Sequence, residues 1–161
     1  MKITLITVGK IREPGFVQAI AEYQKRLSAY CSLKIIEVTD EKTPDTASAA
    51  DEDLIRRKEG DRILRHVVKD PSSYVISLEI NGRQFSSEEF SAHLEKQAVA
   101  GKSHFCFIIG GSLGLSPSVT GLADLHLSFS KMTFPHQLMR VILLEQIYRS
   151  FKIQRHEPYH K

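Results

Sequence analysis

Cysteine is scarce in this sequence: Cys31 and Cys106 are the only two among 161 residues. They form no C-x-x-C pair, which excludes a zinc ribbon or a dithiol redox motif. Cys106 falls inside an apolar run, and both thiols read as small buried hydrophobes. Long apolar runs are missing too, so no segment is expected to span a membrane. The first apolar piece, Ile3 to Val8, is too short for a signal peptide and has only Lys2 before it. The expectation is a cytoplasmic protein with no structural metal. Phosphate-binding glycine fingerprints are absent as well. Gly110, Gly111 and Gly114 end an apolar strand in FCFIIGGSLGLS, yet they make neither G-x-G-x-x-G nor a Gly-Lys-Ser/Thr loop. The first strand ends Val8-Gly9-Lys10, without the glycine-rich fingerprint of a Rossmann fold. No Ser-His-Asp order appears. His136 and His160 lack partners at metal-ligand spacing, and Glu145 stands alone in its helix, so a hydrolase reading is weak.

What is present is ordinary for a globular chain: 42% hydrophobic and 25% charged residues, enough for one domain over residues 1–161 with a real core. The net charge of +3 is unevenly placed. From Lys131 onward six Lys/Arg face two acids, whereas residues 1–130 carry sixteen against seventeen. A one-ended basic stretch suits a polyanion, nucleic acid first, with a solvated helix face as the alternative.

Apolar and polar periods alternate along the chain. Strands are expected at Lys2 to Val8, Leu33 to Val38, Tyr74 to Leu78, Phe105 to Ile109 and Leu125 to Phe129. Asn81-Gly82 reads as a turn. A helix from Pro14 carries Phe16, Val17, Ile20, Tyr23 and Leu27 as its stripe. A charged helix from Asp51 to Lys69 turns Leu54, Ile55, Ile63, Leu64 and Val67 inward, until Asp70-Pro71 stops it. Ser86 to Glu89 has capping-box spacing, Pro117 can start a short helix, and Pro135 starts a last helix to about Lys152. The fold class is α/β with a mainly parallel sheet flanked by helices. The last helix is apolar on more than one face, which calls for a second copy of the chain or a central place in the monomer.

Open α/β sheets bind ligands at the carboxyl ends of their strands. Three such ends look prepared: Leu78-Glu79, the run Gly110 to Gly114, and Phe129 to Pro135. The last mixes apolar side chains, hydroxyls and backbone groups, which suits a flat heteroaromatic ring. The tail Glu157-Pro158-Tyr159-His160-Lys161 suits base stacking and phosphate contact, with disorder as the alternative.

Four blocks, MKITLITVGK, IIGGSLGLS, LSFSKMTFPHQLMRVILLEQIYRSFKI and EPYHK, resemble the RlmH (YbeA-like) family of ribosomal RNA methyltransferases, a single-domain branch of the SPOUT superfamily. The resemblance covers essentially the whole chain, and the GG-x-x-GLS and TFPHQLMR blocks at this separation are highly specific. It implies an α/β-knot fold with a deep C-terminal trefoil knot and S-adenosyl-L-methionine as cofactor. It also implies a homodimer acting on 23S ribosomal RNA within the large subunit or the 70S ribosome. The implied reaction is methylation at N3 of a pseudouridine in helix 69. The cofactor contacts it carries over are Leu78, Gly110, Phe129, Ser130, Lys131, Met132, Thr133 and Phe134, so the glycines would face an adenosine. An imide nitrogen is a poor nucleophile until it loses its proton. The candidates for that step are His160 or Tyr159 near the target base, with Arg140 and Arg149 holding RNA or stabilising the anionic ring. The tail acts either in its own chain's site or across the dimer, and the sequence leaves both open. His156 departs from the pattern, since many relatives have glycine there. Two alternatives stand beside this reading: a non-catalytic ribosome-binding or assembly factor of the same fold, and a SPOUT enzyme acting on another RNA.

Overall fold

In the computed structural model, which describes residues 1–160, strands and helices alternate through the chain. The order is β1 (Lys2–Val8), α1 (Pro14–Leu27), β2 (Ser32–Val38), α2 (Ala49–Leu64), β3 (Ser73–Arg83), α3 (Ser87–Val99), β4 (His104–Ile109), α4 (Pro117–Thr120), β5 (Leu125–Leu127) and α5 (His136–Gln154). The five strands form one sheet in the order β2-β1-β4-β3-β5, and every pairing is parallel. The α/β expectation holds.

Strands β1, β4 and the first half of β3 are apolar on both faces because both faces are covered. Ile3, Leu5, Phe105, Phe107 and Ile76 join a core with residues of α3 and α5 and with Ile20 and Tyr23 of α1. Ile6, Val8, Cys106, Ile108 and Val75 point the other way, toward Ile63 of α2 and Val119 of α4. Cys106 is buried in that second core and Cys31 partly buried, both as free thiols; burial pushes them up to about 12 and about 11 respectively.

Several expected boundaries move. Helix α2 ends at Leu64, because His66 and Val67 turn back onto Ile63 and Leu64. Its inner face is Ile55, Glu59, Gly60 and Ile63, which leaves Leu54 exposed; Val17 of α1 is exposed as well. The Asn81-Gly82 turn proves to be part of a longer detour. Leu78 and Arg83 both register with Leu127 of β5, so residues 79–82 bulge out of the sheet between them. Strand β5 stops at Leu127, and Ser128 fixes the departure by donating its hydroxyl to the Ile80 carbonyl at 2.8 Å. The capping boxes at Ser48 and Ser86 start α2 and α3.

Helix α5 packs between α1 and α3 and over β4. Leu143, Leu144, Ile147 and Phe151 sit in the core beneath it, and none of its residues is fully exposed. Its second apolar face is therefore partly explained within one chain. After Arg155 the helix closes by a Schellman turn, with His156 N bonded to Ile153 O at 3.0 Å and Glu157 N to Lys152 O at 2.9 Å. His156 occupies the left-handed position of that turn at φ 53°, where a Cβ is strained. The tail is then ordered against α5: Glu157 accepts from Tyr30 Oη at 2.6 Å and Lys152 Nζ at 2.5 Å.

Replacing His156 with glycine relieves the left-handed strain. We expect His156→Gly to gain about 0.5–1 kcal/mol, read as a higher urea midpoint at unchanged slope. A lower midpoint would mean that the imidazole contributes contacts that outweigh the strain.

Candidate functional site

The carboxyl ends of β3, β4 and β5 surround a cavity of about 660 Å³, a size typical of ligand sites. Its walls come from three segments. The bulge after Leu78 brings Glu79, Ile80 and Asn81 to one side. The end of β4 brings Gly110, Gly111, Ser112, Gly114 and Leu115. The loop between β5 and α5 brings Phe129, Ser130, Met132, Thr133, Phe134 and Pro135, and the first turn of α5 adds His136 and Met139. Seven of the eight residues expected at a cofactor thus line one cavity. Lys131 is the exception; it is exposed and outside the lining.

The glycines are there because backbone must approach backbone. Gly114 N bonds to Gly111 O at 3.1 Å, and Gly114 adopts φ +82°. A Cβ on Gly110 would sit 2.8 Å from the Gly114 carbonyl carbon, closer than side chains tolerate. The facing loop is pinned by hydroxyls: Ser128 Oγ donates to Ser130 O at 3.1 Å, and Ser130 Oγ accepts from Met132 N at 3.0 Å. Such a cleft, apolar and rimmed with fixed backbone groups, fits a nucleoside without a phosphate cradle.

Helix α2 is the floor beneath the glycines, a role that its charged sequence conceals. A Cβ on Gly60 would lie 3.1 Å from Ser116 Cβ and closer still to its hydroxyl, so this glycine permits the helix to touch the loop. Arg56 Nη1 reaches the Leu113 carbonyl at 3.4 Å. Glu59 is buried below Gly111, whose Cβ position is 3.0 Å from Glu59 Oε2. Its Oε1 accepts from Glu41 N at 3.0 Å, while Oε2 has no partner among the described residues. Burial pushes the Glu59 carboxyl up from the ordinary glutamate value. The Glu41 amide and Arg62 oppose the shift, and Asp40 and Glu41 add to it.

Of the four expected catalytic residues, none lines the cavity. Arg140 is only 1% exposed. Its guanidinium donates to Val8 O at 2.6 Å, to Gly9 O at 2.8 Å and to Glu37 Oε1 at 2.9 Å. Arg140 therefore holds α5 against the ends of β1 and β2 and is not presented to RNA. One turn earlier, His136 lines the cavity; burial first, and then Arg140, lower its imidazole below the ordinary value. In the sequence His136 stands beside the basic stretch without a partner at metal-ligand spacing, and nothing there marks it as a cavity residue. Among the described residues no group of three His, Cys, Asp or Glu could hold a metal ion.

Tyr159, His160 and Arg149 form a separate cluster. Arg149 donates to Glu145 Oε1 from Nε at 3.0 Å and Nη2 at 2.6 Å, and stacks 4.8 Å from the Tyr159 ring centroid. Tyr159 Oη donates to Glu145 Oε1 at 3.1 Å, and its ring meets Tyr148 edge-on at 5.0 Å. Burial first, then Tyr23 and Glu145, push the Tyr159 phenol well above its ordinary range, so it is a donor here and no base. Arg149 Nη1 lies 3.2 Å from His160 Nδ1, and His160 Nε2 lies 2.6 Å from Glu88 Oε1. The Arg149 donor assigns the proton to Nε2. The Glu88 carboxyl is held down to about 2, by its own amide first and then by His160. From His136 to Arg149 the helix axis rises about 20 Å, so within one chain this cluster and the cavity are apart.

Over residues 1–160 the sequence matches the family described as Predicted SPOUT methyltransferase. A Clostridium acetobutylicum protein named Ribosomal RNA large subunit methyltransferase H is 58% identical over 161 residues, spanning 100% of both chains. Proteins of the same name from Bifidobacterium adolescentis and Clostridium kluyveri are 58% and 54% identical over the same 161 residues, again across 100% of each chain.

Between the ordinary glutamate value and the raised one, folded Glu59 keeps a proton that the unfolded chain has already released. Stability should therefore fall as pH rises from the ordinary glutamate value through the raised one. In paired urea titrations across this window, Glu59→Gln is expected to lack that decline and to match or exceed wild type at neutral pH. Glu59→Ala, which strands the Glu41 amide, is expected to lose about 1–3 kcal/mol throughout. A Gln variant as damaged as the Ala variant would show that Glu59 is needed as a carboxylate.

Proposed function

The chain belongs to the SPOUT methyltransferase family, and from that premise we propose that it methylates 23S ribosomal RNA at N3 of a pseudouridine in helix 69, on the assembled ribosome. The observation that carries this reading is the single cavity that gathers Leu78, Gly110 and five residues of the β5–α5 loop. S-adenosyl-L-methionine, bound there, would supply an electrophilic methyl group. Gly110 and its neighbours admit the adenosine close to backbone, Phe129, Met132 and Phe134 cover it, and the Ser128–Ser130 bonds hold the covering loop in place. The deep trefoil knot and a cytoplasmic setting belong to the same proposal. No helix among the described residues is long and apolar enough to cross a membrane.

Beside its own cavity the chain offers Glu79 and His136 as its titratable groups and no Lys or Arg to stabilise an anionic ring, while His160 and Arg149 lie near the far end of α5. A homodimer resolves this. Leu138, Val141 and Ile142 make one stripe of α5, are partly exposed, and belong to neither core cluster. A two-fold axis through that stripe makes the same patch face itself. With the helices running in opposite senses about Val141, position 149 of one chain comes level with position 133 of the other. The tail of one chain then meets the cavity of its partner. There His160 would take the imide proton at Nδ1 once Arg149 leaves that nitrogen, keeping its own proton on Nε2, and Arg149 would stabilise the anionic ring. Basic residues from Lys131 onward add attraction for RNA.

Labelled methyl transfer to ribosomes lacking the modification, with the product nucleotide mapped by mass spectrometry, tests the activity. Label on one pseudouridine is expected; cofactor binding without label would favour another RNA or a non-catalytic factor. Chain mixing tests the shared site. His160→Ala is expected to lower turnover about 10²-fold or more without weakening cofactor binding. Gly110→Val should abolish binding. Neither homodimer would be active, but a mixed dimer contains one intact cavity facing one intact tail. Recovery of activity on mixing is expected, and its absence would place the tail in its own chain's site.

A further inference from the structure

Glu79 is the one carboxylate among the residues that line the cavity, and no Lys or Arg lines it. His136 is the remaining titratable lining residue, with its imidazole shifted toward the neutral form by burial. Glu79 is placed by the bulge in β3, where residues 79–82 leave the sheet. It is fixed there through one oxygen only. Oε1 accepts from the Ser77 hydroxyl and lies 2.6 Å from His126 Nδ1, and Ser77 Oγ is itself 3.0 Å from the same nitrogen. Oε2 takes no hydrogen bond among the described residues, and the side chain is 29% exposed. The result is a carboxylate that is oriented but unspent, in a largely apolar cleft where its field is weakly screened.

We infer that Glu79 determines which form of the cofactor the cavity prefers, favouring the cationic methyl donor over its neutral, demethylated product. The inference rests on the proposed methyltransferase reading. S-adenosylmethionine and S-adenosylhomocysteine share the adenosine and the amino-acid moiety. They differ by one methyl group and the positive charge of the sulfonium. Contacts to the shared groups bind both forms equally and cannot distinguish them. A fixed negative charge in the lining can, because its attraction disappears when the sulfur becomes a thioether. Serine and histidine on Oε1 keep the carboxylate from folding away onto the protein surface. The same field would assist release of the spent cofactor, so that the site is not held by its own product.

Isothermal titration of the intact protein with each of the two compounds, at about pH 8 where an ordinary imidazole is uncharged, measures the preference directly. Glu79→Gln keeps size and hydrogen-bonding capacity while removing the charge. It is expected to weaken S-adenosylmethionine about five- to tenfold and S-adenosylhomocysteine less than about twofold. His126→Gln replaces the imidazole with an amide that can still donate to Oε1, beside the Ser77 hydroxyl, and leaves the carboxylate charged and oriented, so the wild-type preference should persist. Equal weakening of both compounds by Glu79→Gln, or no weakening of either, would overturn the inference while leaving the methyltransferase reading intact. Loss of the preference in His126→Gln would assign it to the shape of the cluster and overturn it likewise. A wild-type protein that binds neither compound would instead bring down the methyltransferase reading, and this inference with it.

Discussion

The site depends on one buried cation. Arg140 reaches from the second turn of α5 to the last carbonyls of β1 and to Glu37 at the end of β2. Burial disfavours its charge and Glu37 restores it. Lifting α5 would strip the buried guanidinium of these three bonds, each worth about 1.5–3 kcal/mol to a charged group, so the helix has little freedom to lift. Because α5 begins directly after the β5–α5 loop, the same bonds set where Phe129 to Pro135 can lie. The loop's hydroxyl bonds refine its shape, but the anchor that fixes its far end is Arg140. A charged side chain that would suit RNA in a sequence is used here to close a sheet edge against a helix.

Opposite that anchor, α2 holds up the glycine loop from below. Glycine performs three separate tasks within it. Gly110 admits close backbone, Gly114 takes the left-handed turn, and Gly60 lets the supporting helix touch Ser116. No helix N-terminus of phosphate-binding type is built from these elements. Strand β4 runs into a two-glycine turn and then a single helical turn at α4, too short to gather a strong dipole. A cavity whose lining holds one carboxylate and no Lys or Arg disfavours phosphate, and this is consistent with a ligand without phosphate groups.

Much of this was legible in the sequence where local pattern and final environment agree. Strands β1 and β4 are apolar at successive positions because helices cover both faces, and the glycine-rich exit of β4 marks the end of the sheet where the cavity lies. Capping boxes at Ser86 and Pro residues before α4 and α5 announce helix starts by local chemistry alone. The reading failed where meaning comes from distant contacts. Glu59 and Gly60 look like two more polar positions on a charged helix, yet they answer to Gly111 and Ser116, more than fifty residues on. Leu54 satisfies a helical period but faces away, since the inner stripe admits a glutamate and a glycine instead. Asn81-Gly82 carried a turn signal whose real context is a four-residue bulge defined by Leu127. Arg140 read as a substrate contact because its charge is visible in sequence and its burial is not.

The tail shows how far one chain can take the argument. Tyr159, His160 and Arg149 are well ordered, mutually bonded and chemically apt, but they sit on the wrong end of α5 for their own cavity. Two designs would join them to it. A bend in α5 would break a helix whose core residues Leu143, Leu144 and Ile147 are fully buried, at a cost of several side chains' burial. A second copy requires no distortion, since the partly exposed stripe of Leu138, Val141 and Ile142 lies midway between the cavity and the tail cluster. In that proposed dimer the contacts of His160 with Glu88 and Arg149 would be a resting arrangement, from which Nδ1 exchanges Arg149 for the substrate. In the dimer proposed above, half of each active site, and the Arg149 charge, would be supplied by the other chain.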